Sequence, residues 1–231
     1  MYLTASGFMA LRARISLPLT GTWTADVSLD PASSGSALPV QGAGLTISLG
    51  EGGFTLQGYC RRVNNAFGTV YARVIGGAGG LPETIDAKAY QGATFGIILQ
   101  DILGQVGESL SATTPSAITN TTVPFWTTIQ GPCWRTLAAL VDEARTITGT
   151  LVNWRVLPDG TIYLGPETWA AASMTTFDLL SWSPQELEAS FYAPNPTLLP
   201  GQTWQQGQVS NVEHVVDPVK VRSRVWFLDP S

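Results

Sequence analysis

Apolar and polar positions alternate through most of the first ninety residues. Leu11, Ala13, Ile15 and Leu17 fall on one face, with Arg12, Arg14 and Ser16 on the other. After a turn at 18–21, Trp23, Ala25, Val27 and Leu29 repeat the pattern. A period of two marks a strand buried on one face, so two antiparallel strands are predicted. Residues 31–43, rich in Ser, Gly, Ala and Pro, predict a loop, after which Leu45, Ile47 and Leu49 alternate until Gly50, Gly52 and Gly53 break the run. Residues 54–63 and 68–75 predict a hairpin turning at Asn64 and Asn65. About five short strands with no helix between them point to a small barrel or sandwich.

The period then changes. Phe95, Ile98, Leu99, Ile102, Leu103 and Val106 follow helical spacing, with Thr94 placed to cap the start and Gly107 to end it. A second helix is predicted over 132–148, with Trp134, Leu137, Val141 and Ala144 on its apolar face, Pro132 in its first turn and Gly149 as its stop. Residues 151–157 and 161–164 predict a hairpin around Pro158, Asp159 and Gly160. From 177 onward the pattern is β again, with a Pro-rich crossover at 195–201 and a last hairpin of 208–216 against 219–227. In its second arm Val219, Val221, Ser223, Val225 and Phe227 share one face, while Lys220, Arg222, Arg224 and Trp226 share the other. No internal repeat recurs at a fixed period. The fold class predicted is mainly β with two short helices, α+β.

Charge alters this picture more than length does. At 231 residues a core can be buried without staples. Charged residues make up only 13% of the chain, about half the usual globular share, yet it holds eight Trp, eight Phe and six Tyr. Such a surface suits a subunit of a permanent assembly, since obligate interfaces are apolar and depleted in Lys and Glu. A well-packed secreted-type β protein is the blander reading. Residues 1–88 carry a net charge of +1 and residues 89–231 a net −6, giving −5 overall. No basic stripe of the phosphate-neutralising kind stands out, so specific nucleic-acid binding is not expected. The first twenty residues lack a signal-peptide pattern, Arg12 and Arg14 falling where it would be most apolar, and no segment has the roughly 18 unbroken apolar residues of a membrane span. A soluble chain made in the cytoplasm is expected.

Catalytic chemistry is thinly supplied. His214, the sole histidine, lies within an alternating strand and reads as a structural polar contact. Cys60 and Cys133 have no metal-ligand or redox spacing and read as small buried residues. No nucleophile elbow of the GxSxG kind is present. Asp142 and Glu143 are neighbours on a helix and diverge, and Glu186 and Glu188 share a strand face with no sign of a pocket, so all four read as solvated carboxylates. The run Gly76-Gly77-Ala78-Gly79-Gly80 invites reading as a phosphate cradle, but Leu81-Pro82-Glu83 follows in place of a helix start, and a flexible connector is expected instead. No catalytic residue, cofactor or metal site is expected.

The order of segments carries a further signal. The helix TFGIILQDILGQVG, the block CWRTLAALVDEARTITGTLVNWRVLPDGTIYLGPETW and the closing LLPGQTWQQGQVSNVEHVVDPVKVRSRVWF together resemble phage baseplate hub proteins. That group includes the late control protein D family, Mu-like hubs and the hub half of type VI secretion spike proteins. The likeness spans residues 85–231; the first 85 match only in being β and in leading to the glycine junction. The resemblance implies two small antiparallel β-barrel subdomains of the tail-hub type, packed as a homotrimer that adapts a sixfold tail tube to a threefold spike and lines the path of DNA ejection. On that pattern residues 1–88 form the first barrel, with 166–194 as the candidate segment to complete it, while 89–165 and 195–231 form the second. Many hubs are longer, so a separate spike chain is expected, with a tail tube or distal tail protein and other baseplate proteins as further partners at the virion tail tip. Trp204, Arg222, Arg224 and Trp226 are the expected interface residues, being large or bidentate groups on terminal strands. The competing expectation is a tail-tip carbohydrate-binding or cell-wall-hydrolysing protein, with tryptophans as sugar platforms.

Overall fold

The computed structural model describes residues 3–49, 55–166, 179–183, 188–191, 198–204, 207–217 and 221–228. The chain divides into two compact units, Met1–Gly76 with Thr168–Ser231, and Gly77–Glu167.

Alternation at the start of the chain does become strands. β1 (Leu3–Ala5), β2 (Phe8–Pro18), β3 (Thr24–Leu29), β4 (Gly44–Leu49), β5 (Thr55–Ala66) and β6 (Thr69–Gly76) pair in the order β1-β4-β5-β6-β3-β2. β2 returns to β1, so the six strands close into an antiparallel barrel. Closure removes free sheet edges. The closing strand β1 is too short to show a period in sequence, which is why about five strands rather than six were legible. Its Ala5 and the facing Phe8, Ile15, Leu29, Ile47, Leu56 and Val74 are all buried.

Local chemistry explains two departures from the predicted pattern. The β2–β3 register shifts between Ala10 and Arg12, and this bulge turns Leu11 outward to 38% exposure while Ala13, Ile15 and Leu17 stay buried. The β5–β6 hairpin turns at Phe67-Gly68, not at Asn64 and Asn65, which pair with Tyr71 and Val70. Both turn residues have positive φ, 51° and 72°, as a two-residue primed turn requires. Asparagine would suit that geometry, but the register is set by the buried β6 positions, and these place the fully exposed Phe67 at the tip.

Among the described residues of this unit Trp23, 2% exposed, is the largest buried side chain. Two glycines make room for it. A Cβ on Gly76 would stand 2.4 Å from the indole Nε1, and one on Gly58 would stand 2.8 Å from Cη2 and 2.4 Å from the Ile75 carbonyl.

The second unit carries the helices. β7 (Thr84–Ile85) pairs with β10 (Gly131–Pro132), and β8 (Ala89–Thr94) with β9 (Thr122–Thr127). α1 spans Phe95–Gly104, and the Thr94 hydroxyl accepts from the Ile97 N–H at its start. Gly107, at φ 71°, ends that turn. Phe95, Ile98, Leu99, Ile102 and Leu103 are buried as the spacing predicted. A four-residue helix α2 (Ser116–Thr119) was not foreseen, because one turn is too short to show a period. α3 (Cys133–Thr148) ends in left-handed Gly149. Its buried face runs through Cys133, Thr136, Leu137, Leu140, Val141 and Ala144, leaving Trp134 47% exposed, not on the core face as expected. β11 (Val152–Val156) and β12 (Ile162–Pro166) form the predicted hairpin, with the Asp159 carboxylate accepting from the Thr161 N–H and hydroxyl. Arg145 donates to the Val152 carbonyl at 2.7 Å and to Asn153 Oδ1 at 2.9 Å, tying α3 to β11.

The glycine run expected as a flexible connector is held in place. The Glu108 carboxylate, on a residue 5% exposed, accepts from the N–H groups of Ala78, Gly79 and Gly80 at 3.0, 3.0 and 2.9 Å. Consecutive N–H groups converging on one anion form a nest, and an internal carboxylate fills this one. A Cβ on Gly80 would lie 1.9 Å from the Val106 carbonyl oxygen, so only glycine lets the loop approach.

The chain then returns to the first unit in β13 (Leu179–Ser183), β14 (Glu188–Phe191), β15 (Thr203–Trp204), β16 (Gly207–Val216) and β17 (Val221–Phe227). β16 pairs with β2 from Asn211↔Pro18 to Val216↔Ala13, and β17, β14 and β13 follow in order. The expectation grouped 195–231 with 89–165. The pairing instead adds these strands to the sheet of the first barrel, through the long β2, whose outer half has a second edge to offer. The unit boundary falls at Gly76 and Gly77 rather than at residue 88. Val219 and Lys220 lie outside the described residues.

Candidate assembly surface

The expected interface residues fall on the sheet that β2, β16 and β17 build. Arg222, Arg224 and Trp226 alternate along β17 and are half-buried, while Ser223, Val225 and Phe227 between them are buried. Trp204 stands on β15, opposite Gly207 and not on this strand; its side chain lies outside the described residues.

Register shows what stands beside these groups. Arg222 faces Val215, which faces Arg14, then Asp26, Arg73 and Arg62, one row across β17, β16, β2, β3, β6 and β5. The next row runs from Arg224 through Glu213 and Ser16 to Thr24, and Arg12 lies on the same face two positions before Arg14. Residues directly opposite share a face. One face of the continuous sheet therefore carries Arg12, Arg14, Arg62, Arg73, Arg222 and Arg224, half of the twelve basic residues in the chain. Alternation within single strands showed each arginine on its own; only the pairing of distant strands brings them together.

Two carboxylates are interleaved there. Glu213, 4% exposed, is bonded to Arg14, and Asp26 is bonded to Arg73. Glu188 stands at the backbone register position opposite Trp226. Both arginines of the two ion pairs reach solvent, with side chains 66% and 43% exposed, so these pairs contribute orientation more than stability.

The opposite face of β16 and β17 is apolar, with one polar pair. His214 is fully buried, and its Nδ1 shares a hydrogen bond of 2.8 Å with the Ser223 hydroxyl. Burial pushes the imidazole down to about 4. Neutral His214 is thus favoured by the fold. The sign follows: its contribution is complete above the ordinary value of about 6.5 and is lost as pH falls toward 4. Lowering the pH from 7 to 5 is expected to cost about 2 kcal/mol through this residue. Urea unfolding at both pH values checks this, because His214→Gln should lack that component whatever its cost at pH 7.

Reactive groups elsewhere are sequestered. Burial pushes the Cys133 thiol up to about 12, with the nearby Glu108 charge adding to it, and burial also raises Cys60. Asp101 accepts from Lys88 Nζ and from the Tyr90 hydroxyl, contacts that hold its carboxyl below the usual range. Among the described residues no three His, Cys, Asp or Glu side chains stand close enough to hold a metal ion. No described helix is long and apolar enough to cross a membrane. In the second unit, a cavity of about 180 Å³ is lined by Trp126, Ile129, Pro132, Arg135 and Ala139. Trp23 and Trp154 are buried and offer no sugar platform.

The fold is similar to that of several solved tail proteins. The 43 kDa tail protein of prophage MuSo2 from Shewanella oneidensis has the same fold, with a TM-score of 0.64 over 97% of this chain and 96% of that one, at 13% identity. A tail protein from Neisseria meningitidis MC58 matches with a TM-score of 0.58 over 97% and 95% of the two chains, at 10% identity. An E. coli component of the type VI secretion system, itself described as structurally similar to the T4 bacteriophage tail proteins gp27 and gp5, matches with 0.65 over all of this chain and 80% of that one, at 12% identity. No protein-family model and no curated protein matches the sequence.

Proposed function

We propose that this chain is a non-enzymatic structural subunit of a phage tail tip, a hub that assembles as a homotrimer between tail tube and spike. The observation that carries the reading is the likeness of fold along 97% of the chain to a prophage tail protein. Composition agrees with it. A chain with 13% charged residues and 22 aromatic side chains gains by covering its surface with neighbours. Two barrel-like units per copy, the second completed in the assembly, would let three subunits present six similar elements to a sixfold tube. Trp204, Arg222, Arg224 and Trp226 are proposed to lie at contacts between copies or with the tube, and the ring would surround the path of DNA. Its partners are then the tail tube or distal tail protein, a separate spike chain and other baseplate proteins. Electron cryomicroscopy of tails carrying a labelled copy of this chain tests the proposal. Three labels per tip, between tube and spike, are expected; label elsewhere on the tail, or none, overturns it.

A further inference from the structure

Six arginines gathered on one sheet face are unusual for a chain of net charge −5. Against them stand Asp26 and Glu213, so these eight side chains carry a net charge of +4 and the rest of the chain −9. Arg12 and Arg62 are exposed, and no ion pair holds either among the described residues. Arg62 even stands directly opposite Arg73. Like charges facing each other across strands destabilise a sheet, so a partner with negative charge would relieve this one.

We infer that this face docks on the helix-bearing unit of a second copy of the chain. The inference rests on the hub reading and adds to it which surfaces meet. Charge complementarity selects the occupant. Residues 77–167 hold eight acidic and four basic side chains, a net of −4. Several of the acids are already engaged: Glu108 in the glycine nest, Asp101 by Lys88, and Asp142 by Arg145. Glu83 and Asp86, three positions apart around β7, are exposed and have no ion pair among the described residues. They are the carboxylates placed to receive the arginines of the neighbour.

Two physical consequences follow. A face of net positive charge is disfavoured from meeting the same face of its own copy, so the contact joins two different surfaces, and in the proposed homotrimer such a contact is heterologous and closes as a ring. It is also favoured over docking of duplex DNA, because Asp26 and Glu213, fixed among the arginines, would repel phosphates while tolerating a protein surface of mixed charge.

Charge swapping tests this on the intact chain, with sedimentation velocity reading assembly and far-ultraviolet circular dichroism reading the fold. Arg12→Glu with Arg62→Glu, both on exposed side chains, should abolish assembly at concentrations where the wild type is fully trimeric. Glu83→Lys with Asp86→Lys should do the same. All four changes in one chain should restore trimers, because the swapped charges again attract. Raising salt from about 0.05 M to about 0.5 M should weaken wild-type trimers, as screening requires. A wild-type trimer indifferent to both paired variants overturns this inference and leaves the hub reading intact. Failure of the fourfold variant to recover where the pairs fail overturns the assignment of Glu83 and Asp86. Retention of wild-type trimers on duplex DNA at physiological salt, lost in the arginine variant while trimers persist, assigns the face to nucleic acid and overturns it as well. A wild type that stays single in every condition removes the hub reading and this inference together.

Discussion

Replacing Glu108 by alanine is expected to lower the stability of the chain by about 4 kcal/mol. The side chain is buried, and three backbone N–H groups at 2.9–3.0 Å are left without an acceptor when it is removed. Hydrogen bonds to a charged group contribute about 1.5–3 kcal/mol each, and the three share one carboxylate, so their sum is an upper bound. Glu108→Gln keeps one acceptor oxygen but turns an amide N–H toward a donor, so about half the loss is expected. Urea unfolding followed by tryptophan fluorescence measures the change. Hydrogen exchange localises it, because the amides of residues 78–80 should lose protection before the barrel does. A loss below about 1 kcal/mol for alanine would contradict the role given to the nest.

Filling the space beside Trp23 should cost nearly as much. Trp23→Ala empties a buried indole site and is expected to destabilise by about 4 kcal/mol. Gly76→Ala places a methyl carbon 2.4 Å from the indole Nε1 in the unrelaxed structure, so the ring must move, at a cost of about 2–3 kcal/mol. The two changes should not add. With the indole gone the methyl group has room, and Gly76→Ala in the Trp23→Ala background should be close to neutral. A double-mutant cycle by urea unfolding checks this, and simple additivity would show that glycine at 76 answers some other constraint.

Much of this fold is legible in the sequence wherever a period survives over enough residues. The alternation in 11–17 and 45–49 and the helical spacing of 95–106 each correspond to an element with its apolar positions buried, Leu11 and Val106 apart. What the period cannot show is pairing between distant strands. Nothing local in 207–216 says that β16 will pair with β2 nearly two hundred residues earlier, so the terminal strands were grouped with the wrong neighbours. The arginine row was hidden for the same reason. Each arginine reads as an ordinary solvent-facing residue of its own strand, and the shared face exists only once β17, β16, β2, β3, β6 and β5 lie in register. The glycine nest was hidden differently: the run was visible as an anion cradle, but its acceptor is a glutamate 28 to 30 residues downstream that carries no motif.

Energetics point the same way as topology. Closure of the barrel leaves no edge to cover at β1, but the sheet continues from β2 through β16 and β17 toward β13, and on its arginine face Arg12, Arg14 and Arg62 are exposed. A chain with so few charges that nonetheless gathers half of its cations on one face has a surface suited to orientation and register between subunits rather than to solubility alone.

The central claim is that several copies of this chain cover one another in a closed ring. Native mass spectrometry of the purified chain, alone and with its tail-tip neighbours, counts the copies directly. The account predicts a species of three times 24.6 kDa, stable to dilution at low salt and weakened at high salt. A single 24.6 kDa species under all of these conditions, or a dimer that no charge swap disturbs, would contradict it.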